Sequence, residues 1–263
     1  MNTKRATKLL AGTLVASVLG MSGSTALAQT ISYVENNVAS GTTGVSLTSD
    51  PVITAILSQP GTTDGKSYTS WAFLANDGTG SIDIYASSNA LATLGFTPAV
   101  GETLSVTGEY DPYEQIPELE DITSISQVGT ASVPAVGTQT IPNLNVATLP
   151  YSIAGYEWTV DNVTLSGFST FGTANQTGTM TDGSANSMTL YYWESSYSVA
   201  LANLDGMTPV LGQEYDVTGF DAVYGSSAQF VPISIVAVPE PATLSLCGLG
   251  GLMLFKLVRR RIA

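Results

Sequence analysis

The chain has 263 residues, 44% of them apolar and only 11% charged, so it can build a core but carries well under the roughly 25% charge of an ordinary soluble domain. It has no histidine and one cysteine, Cys247, which excludes an intrachain disulfide, a Cys/His zinc centre and a nucleophile served by an imidazole base. The segment 29–238 carries 20 carboxylates against the single ammonium of Lys66, a field that repels phosphate backbones, so nucleic acid is excluded as a partner and divalent cations or neutral ligands are favoured.

Residues 1–28 open with the cations Lys4, Arg5 and Lys8, continue with an apolar stretch from Leu9 to Met21, and end in Ala26-Leu27-Ala28. A basic start, a short apolar core and small residues at Ala26 and Ala28 are the pattern of a cleaved secretory signal peptide. The apolar stretch is shorter than the ~20 residues a membrane span needs. Gln29 is then the first mature residue.

The body is punctuated by Gly, Pro and Asp-Gly turns, and its apolar residues alternate with polar ones. Ile82–Tyr85, Thr103–Val106 and Met188–Tyr191 all fit half-buried strands. Helical periodicity is confined to Asn89–Leu94 and Ser198–Leu204. The pattern runs twice. Phe73 to Asp77-Gly78 leads to Ser81–Tyr85, a short Ala/Leu segment, and Pro98-Ala99-Val100-Gly101 through to Gly108. Gly178 to Asp182-Gly183 leads to Ser187–Tyr191, a second Ala/Leu segment, and Pro209-Val210-Leu211-Gly212 through to Gly219. A further strand closes each unit near Glu120–Gln127 and Gln229–Val236.

Strand, strand, Asp-Gly turn, strand, short helix, strand, strand is the order of a five-stranded Greek-key barrel. On Asp77-Gly78, Asp182-Gly183, Val100–Gly108 and Leu211–Gly219, each unit resembles the small OB-fold domains of exported bacterial proteins, including those attached to secreted nucleases. The expected class is all-β: two tandem OB-like barrels over 29–130 and 151–238, with a two-sheet sandwich as the alternative. They are joined by a 131–150 linker stiffened by Pro134, Pro142 and Pro150.

Three features bear on chemistry. Asp111, Glu114, Glu118, Glu120 and Asp121 cluster after the fourth strand of unit one. Carboxylates can hold calcium, the one cofactor considered, or in pairs hydrolyse a glycoside, but a Pro-flanked acidic loop is also a plain solvated turn. The Asp-Gly pairs suit tight turns. Alternation places Tyr191 and Trp193 on one strand face, with Tyr85 at the matching place in unit one, a candidate ligand face for sugars or, equally, packing residues.

The C-terminus runs from Val238 through Pro239-Glu240-Pro241 into an apolar stretch, Ala242 to Phe255, and ends in Lys256, Arg259, Arg260 and Arg261. Terminal cations stay on the cytoplasmic side and leave the body outside. The Pro-Glu-Pro start, the Gly248–Gly251 run and the arginine end closely resemble the PEP-CTERM sorting signal of Gram-negative bacteria. That resemblance implies processing by an exosortase, a transient stay of the tail in the inner membrane, and delivery to the outer surface or the extracellular matrix.

These readings give the expectation of a non-catalytic surface or matrix protein associated with exopolysaccharide or biofilm. An acidic calcium-dependent adhesion protein and a carboxylate-based glycan-active enzyme are the alternatives.

Overall fold

The computed structural model describes residues 29–63, 65–146, 148, 155–171, 175–192 and 197–239. Ala26, Ala28, Trp193, Glu240, Pro241 and the apolar tail lie outside the described residues. In chain order the first half holds α1 (Ile31–Asn37), β1 (Thr42–Leu47), β2 (Val52–Ser58), β3 (Gly61–Thr63), β4 (Lys66–Tyr68), β5 (Ser70–Asn76), β6 (Ser81–Ser87), α2 (Ser88–Leu94), β7 (Glu102–Tyr110) and β8 (Glu118–Thr130). The second half holds β9 (Gly137–Thr138), α3 (Ile141–Leu144), β10 (Glu157–Ser166), β11 (Gln176–Thr181), β12 (Ser187–Tyr192), α4 (Ser198–Leu204), β13 (Glu214–Tyr224) and β14 (Ser227–Ala237).

Both halves close into a ring. In the first, β2 pairs with β5, β5 with β6, β6 in parallel with β8, β8 with β7, and β7 back with β2. In the second, β10, β11, β12, β14 and β13 repeat the cycle, again with one parallel pairing, β12 to β14. A five-strand ring with a single parallel contact and a short helix between the third and fourth strands is OB-like topology, and closure leaves few edges exposed. The expected helices fall at α2 and α4, and the expected closing strands inside β8 and β14.

Gly108 and Gly219 show why the repeat keeps a glycine late in the fourth strand. A Cβ on Gly108 would lie 2.6 Å from the Glu120 carbonyl oxygen, and one on Gly219 would lie 2.1 Å from that of Val231. Both stand beside a register shift in the ladder to the last strand. The glycine lets the two backbones approach where the barrel bends.

Two segments depart from expectation. Helix α1 is not among the expected elements, yet Ile31 and Val34 are fully buried in the first core. The 131–150 stretch is only partly a connection: β9 pairs with β10, and Ile141 and Leu144 fill the second core.

The barrels also share a third core. Ala55, Leu57, Ala72, Leu74 and Ile116 of barrel 1 meet Tyr197, Phe220, Ala222, Val231 and Ile233 of barrel 2. A register shift between Ile53 and Ala55 makes this seam: Ile53 points into the barrel, while Ala55 and Leu57 point out toward the partner. Hydrogen bonds stitch its rim. The Val223 amide donates to the Glu114 carbonyl at 3.0 Å. The Gln59 amide donates to Ser198 Oγ at 2.9 Å, and that hydroxyl donates back to the Gln59 carbonyl at 3.1 Å.

Candidate functional site

OB-folds hold ligands on the face of their second and third strands, between the loops that follow strands one and four. In barrel 1 that region is occupied. The outward residues of β5 are in the seam, the β3–β4 hairpin lies against α4, and the loop after β7 supplies Ile116 to the shared core. Tyr85, one of the three candidate ligand-face residues, is half-buried against this core and donates a 3.1 Å hydrogen bond to Ser70 Oγ. It is a seam residue.

In barrel 2 the same face is open. Met180, Met188, Leu190 and Tyr192 point into the barrel, so alternation turns their neighbours outward. The outward residues pair directly across the ladder: Thr177 with Tyr191, Thr179 with Thr189, and Thr181 with Ser187. Every one bears a hydroxyl. β-Branched threonine suits such a pleated, half-exposed surface. At one end the strip opens into a groove of about 460 Å³ lined by Asn145, Thr179, Ser187, Thr189, Ser226 and Ser227, among others. That volume lies within the few-hundred to ~1,000 Å³ range of small-ligand sites. Asn145 Nδ2 donates to the Ser187 carbonyl at 3.0 Å and fixes that wall. None of the described residues lining the groove is charged. At the other end Tyr191 is half-buried; burial raises its pKa, the charge of Glu114 and the nearby Tyr224 add to this, and a hydrogen bond with Asn175 opposes it.

The five carboxylates considered for calcium do not share one place. Asp111 accepts a hydrogen bond from the Ser40 hydroxyl. Glu114 and Asp121 sit at positive φ, 51° and 46°. Glu120 faces Glu109 across the β7–β8 ladder, and Glu118 is buried beside Asp83. Among the described residues no three His, Cys, Asp or Glu side chains gather where a metal ion could sit.

The Asp-Gly pairs are turn formers. Asp77 Oδ1 accepts from the amides of Thr79 and Gly80 at 2.9 and 3.1 Å, and Asp182 Oδ1 accepts from those of Ser184 and Asn186, each at 2.9 Å. The two turns are not identical. Gly78 takes φ 81°, whereas in the second turn the positive φ falls on Ala185, at 63°.

Three buried acids escape the sequence reading. Asp221 is 0% exposed with no well-formed hydrogen bond to either carboxylate oxygen. Burial pushes its pKa up to about 8, the Ala222 backbone opposing. Asp83, in the wall that faces barrel 2, is pushed up to about 7 by burial, against the backbones of Phe73 and Ile84. Glu35 on α1 is pushed up to about 8 by burial, with the charge of Asp77 adding. Asp221 interrupts the apolar run Phe220–Val223, which is the one sequence signal of a buried acid among the three. The groove residues Asn145, Ser226 and Ser227 carry no such signal, because polar loop residues are ordinary.

No family model matches the sequence, and no curated protein matches it either. Solved structures of similar fold include the p204 HINb domain, 9% identical over 74% of this chain and 96% of that one, with a TM-score of 0.38. A murine DNA-binding protein bound with double-stranded DNA is 15% identical, over 73% and 98%, with a TM-score of 0.39. The Ifi202 HINa domain in complex with 20-bp double-stranded DNA is 11% identical, over 74% and 96%, with a TM-score of 0.37. The DNA is a property of those proteins, and the expectation that nucleic acid is excluded is withdrawn as a statement about this chain. That exclusion summed charge over the whole body, whereas a ligand meets the local field, and none of the described residues lining the barrel 2 groove is a carboxylate.

Proposed function

We propose that this chain is an exported, non-catalytic envelope or matrix protein whose second barrel holds a neutral polysaccharide on the outer face of β11 and β12. The observation that carries the reading is the uncharged groove of Asn145, Thr179, Ser187, Thr189, Ser226 and Ser227, continued by paired hydroxyls to Tyr191. Hydroxyl and amide groups donate and accept together, as sugar hydroxyls do. Tyr191 offers a ring edge and a phenol at the end of the strip. Barrel 1 then serves as a platform: its ligand face is spent on fixing the orientation of barrel 2.

The ends supply the address. On this reading 1–28 is a signal peptide cleaved before Gln29, and 239–263 is an exosortase sorting signal that passes through the inner membrane. Among the described residues no helix is long and apolar enough to cross a membrane; on this reading the anchoring role belongs to the tail from Ala242 onward.

The test is retention of the purified protein on a panel of immobilised neutral and acidic polysaccharides, with single- and double-stranded DNA as parallel arms. Neutral glycan should retain it, and Thr189→Val with Ser187→Ala should lose that retention. Retention by DNA alone, or by no glycan at all, overturns the reading. N-terminal sequencing of exported material should begin at Gln29. Replacing Pro239-Glu240-Pro241 with alanines should leave the tail uncut in the inner membrane.

A further inference from the structure

The turn between α4 and β13 carries the most exposed large apolar side chain among the described residues. Leu211 is 88% exposed, and its neighbour Val210 is 63% exposed. The same turn holds the exit of the chain. The Val238 amide donates to the Glu214 carbonyl at 2.9 Å, and Gln213 Nε2 donates to the Val238 carbonyl at 2.7 Å. The apolar tail begins at Ala242, four residues beyond Val238. Four residues of fully extended chain span at most about 14 Å. Wherever the start of the apolar tail is held, the Val210-Leu211 turn is tethered close to it.

The internal repeat supplies a comparison. In barrel 1 the equivalent turn is Pro98-Ala99-Val100-Gly101. It too holds the end of the last strand, by a 2.9 Å hydrogen bond from the Ala131 amide to the Gly101 carbonyl. There the chain continues to barrel 2, and the tip carries Ala99 and a Val100 that is 53% exposed. Where the chain continues to the apolar tail, the two tip residues are enlarged to Val210 and Leu211. A larger, more exposed apolar pair at the point nearest a membrane-entering segment is what an interfacial anchor requires.

We propose that the Val210-Leu211 turn seats in the lipid interface of the membrane that holds the tail, and so fixes the tilt of barrel 2 above the bilayer. This rests on the reading of the tail as membrane-inserted. Glu214 and Asp216 follow the turn closely and bring negative charge, so the contact is apolar insertion, suited to zwitterionic headgroups and indifferent to salt.

The experiment uses the full chain carrying Cys247→Ser, spin-labelled at Leu211→Cys or, as the control, at Val100→Cys. Each is reconstituted into phosphatidylethanolamine–phosphatidylcholine vesicles. Both sites are exposed, so folding is not at issue. Collision with a water-soluble nickel chelate is compared with collision with oxygen. The expected result is a severalfold lower nickel accessibility at 211 than at 100, unchanged by salt. Equal accessibility in protein that floats with the vesicles overturns the inference and leaves the tail reading intact. Protein that fails to float overturns the tail reading and the inference together. Shielding at 211 that persists without vesicles and grows with protein concentration assigns the turn to a second copy of the chain, and overturns the lipid contact.

Discussion

Replacing Asp221 with asparagine removes the charge of the most enclosed acid in barrel 2 at nearly constant volume. An ordinary aspartate titrates near 3.8, and burial holds this one near 8 in the folded protein. Between those values the folded protein keeps a proton that the unfolded chain has released. Stability therefore falls as pH rises through that window, by about 1.36 kcal/mol per pH unit. Below pH ~4 both states are protonated and the charge contributes no cost; above pH ~8 both are ionised and that cost levels off. From pH 4 to pH 7 the loss is on the order of 4 kcal/mol, a large share of the 5–15 kcal/mol that stabilises a typical domain. The substituted amide would remain neutral throughout. Urea unfolding at unit steps from pH 4 to 9 should show the two proteins nearly equal at the acid end. The Asp221→Asn protein should become progressively more stable by pH 8. Parallel pH profiles, or a variant that is weaker at pH 8, would refute an uncharged, enclosed Asp221.

Gly219→Ala should cost about 3 kcal/mol or abolish soluble expression, because its Cβ would meet a backbone carbonyl that cannot step aside. Gly183→Ala should be near neutral, since nothing lies within 4 Å of its Cβ; thermal melts of the pair separate a close approach from a simple turn. Tyr85→Ala should lower stability by about 2 kcal/mol through lost seam packing, read by urea titration, while leaving polysaccharide retention by barrel 2 unchanged. Glu35→Gln should flatten the pH dependence of stability between about pH 4.5 and 8, the window set by its raised pKa, with α1 still docked by the 2.8 Å hydrogen bond from the Ile31 amide to Asp77.

The order of strands is legible because each barrel strand buries one face, and the Asp-Gly turns and the short helices recur at matching places. What the sequence hides are surfaces that become interior only when two units meet. Alternation in Ile82-Asp83-Ile84-Tyr85 assigns Asp83 and Tyr85 to the outer face, and they are there; barrel 2 then covers that face, so the acid is buried and the tyrosine packs into the seam. Glu118 reads as part of a solvated acidic loop for the same reason, yet it opposes Asp83 in the β6–β8 ladder. Helix α1 lacks the Ala/Leu-rich composition that marks α2 and α4, and Ile31 and Val34 are anchored by tertiary burial. Tyr191 lies at one end of the open strip, where alternation in the sequence puts a ligand face. The groove at the other end is built from the Asn145 and Ser226-Ser227 loops, which converge only in the folded barrel.

The measurement that bears most directly on the account is the set of backbone amide chemical shifts of the isotopically labelled protein during titration with a neutral oligosaccharide that retains it. Shifts confined to Thr179, Ser187, Thr189, Tyr191 and Ser227, with Ala72, Leu74 and Tyr85 unmoved, are the predicted outcome. Shifts centred on the barrel 1 strands β5 and β6, or spread without focus over the acidic surface, would contradict it.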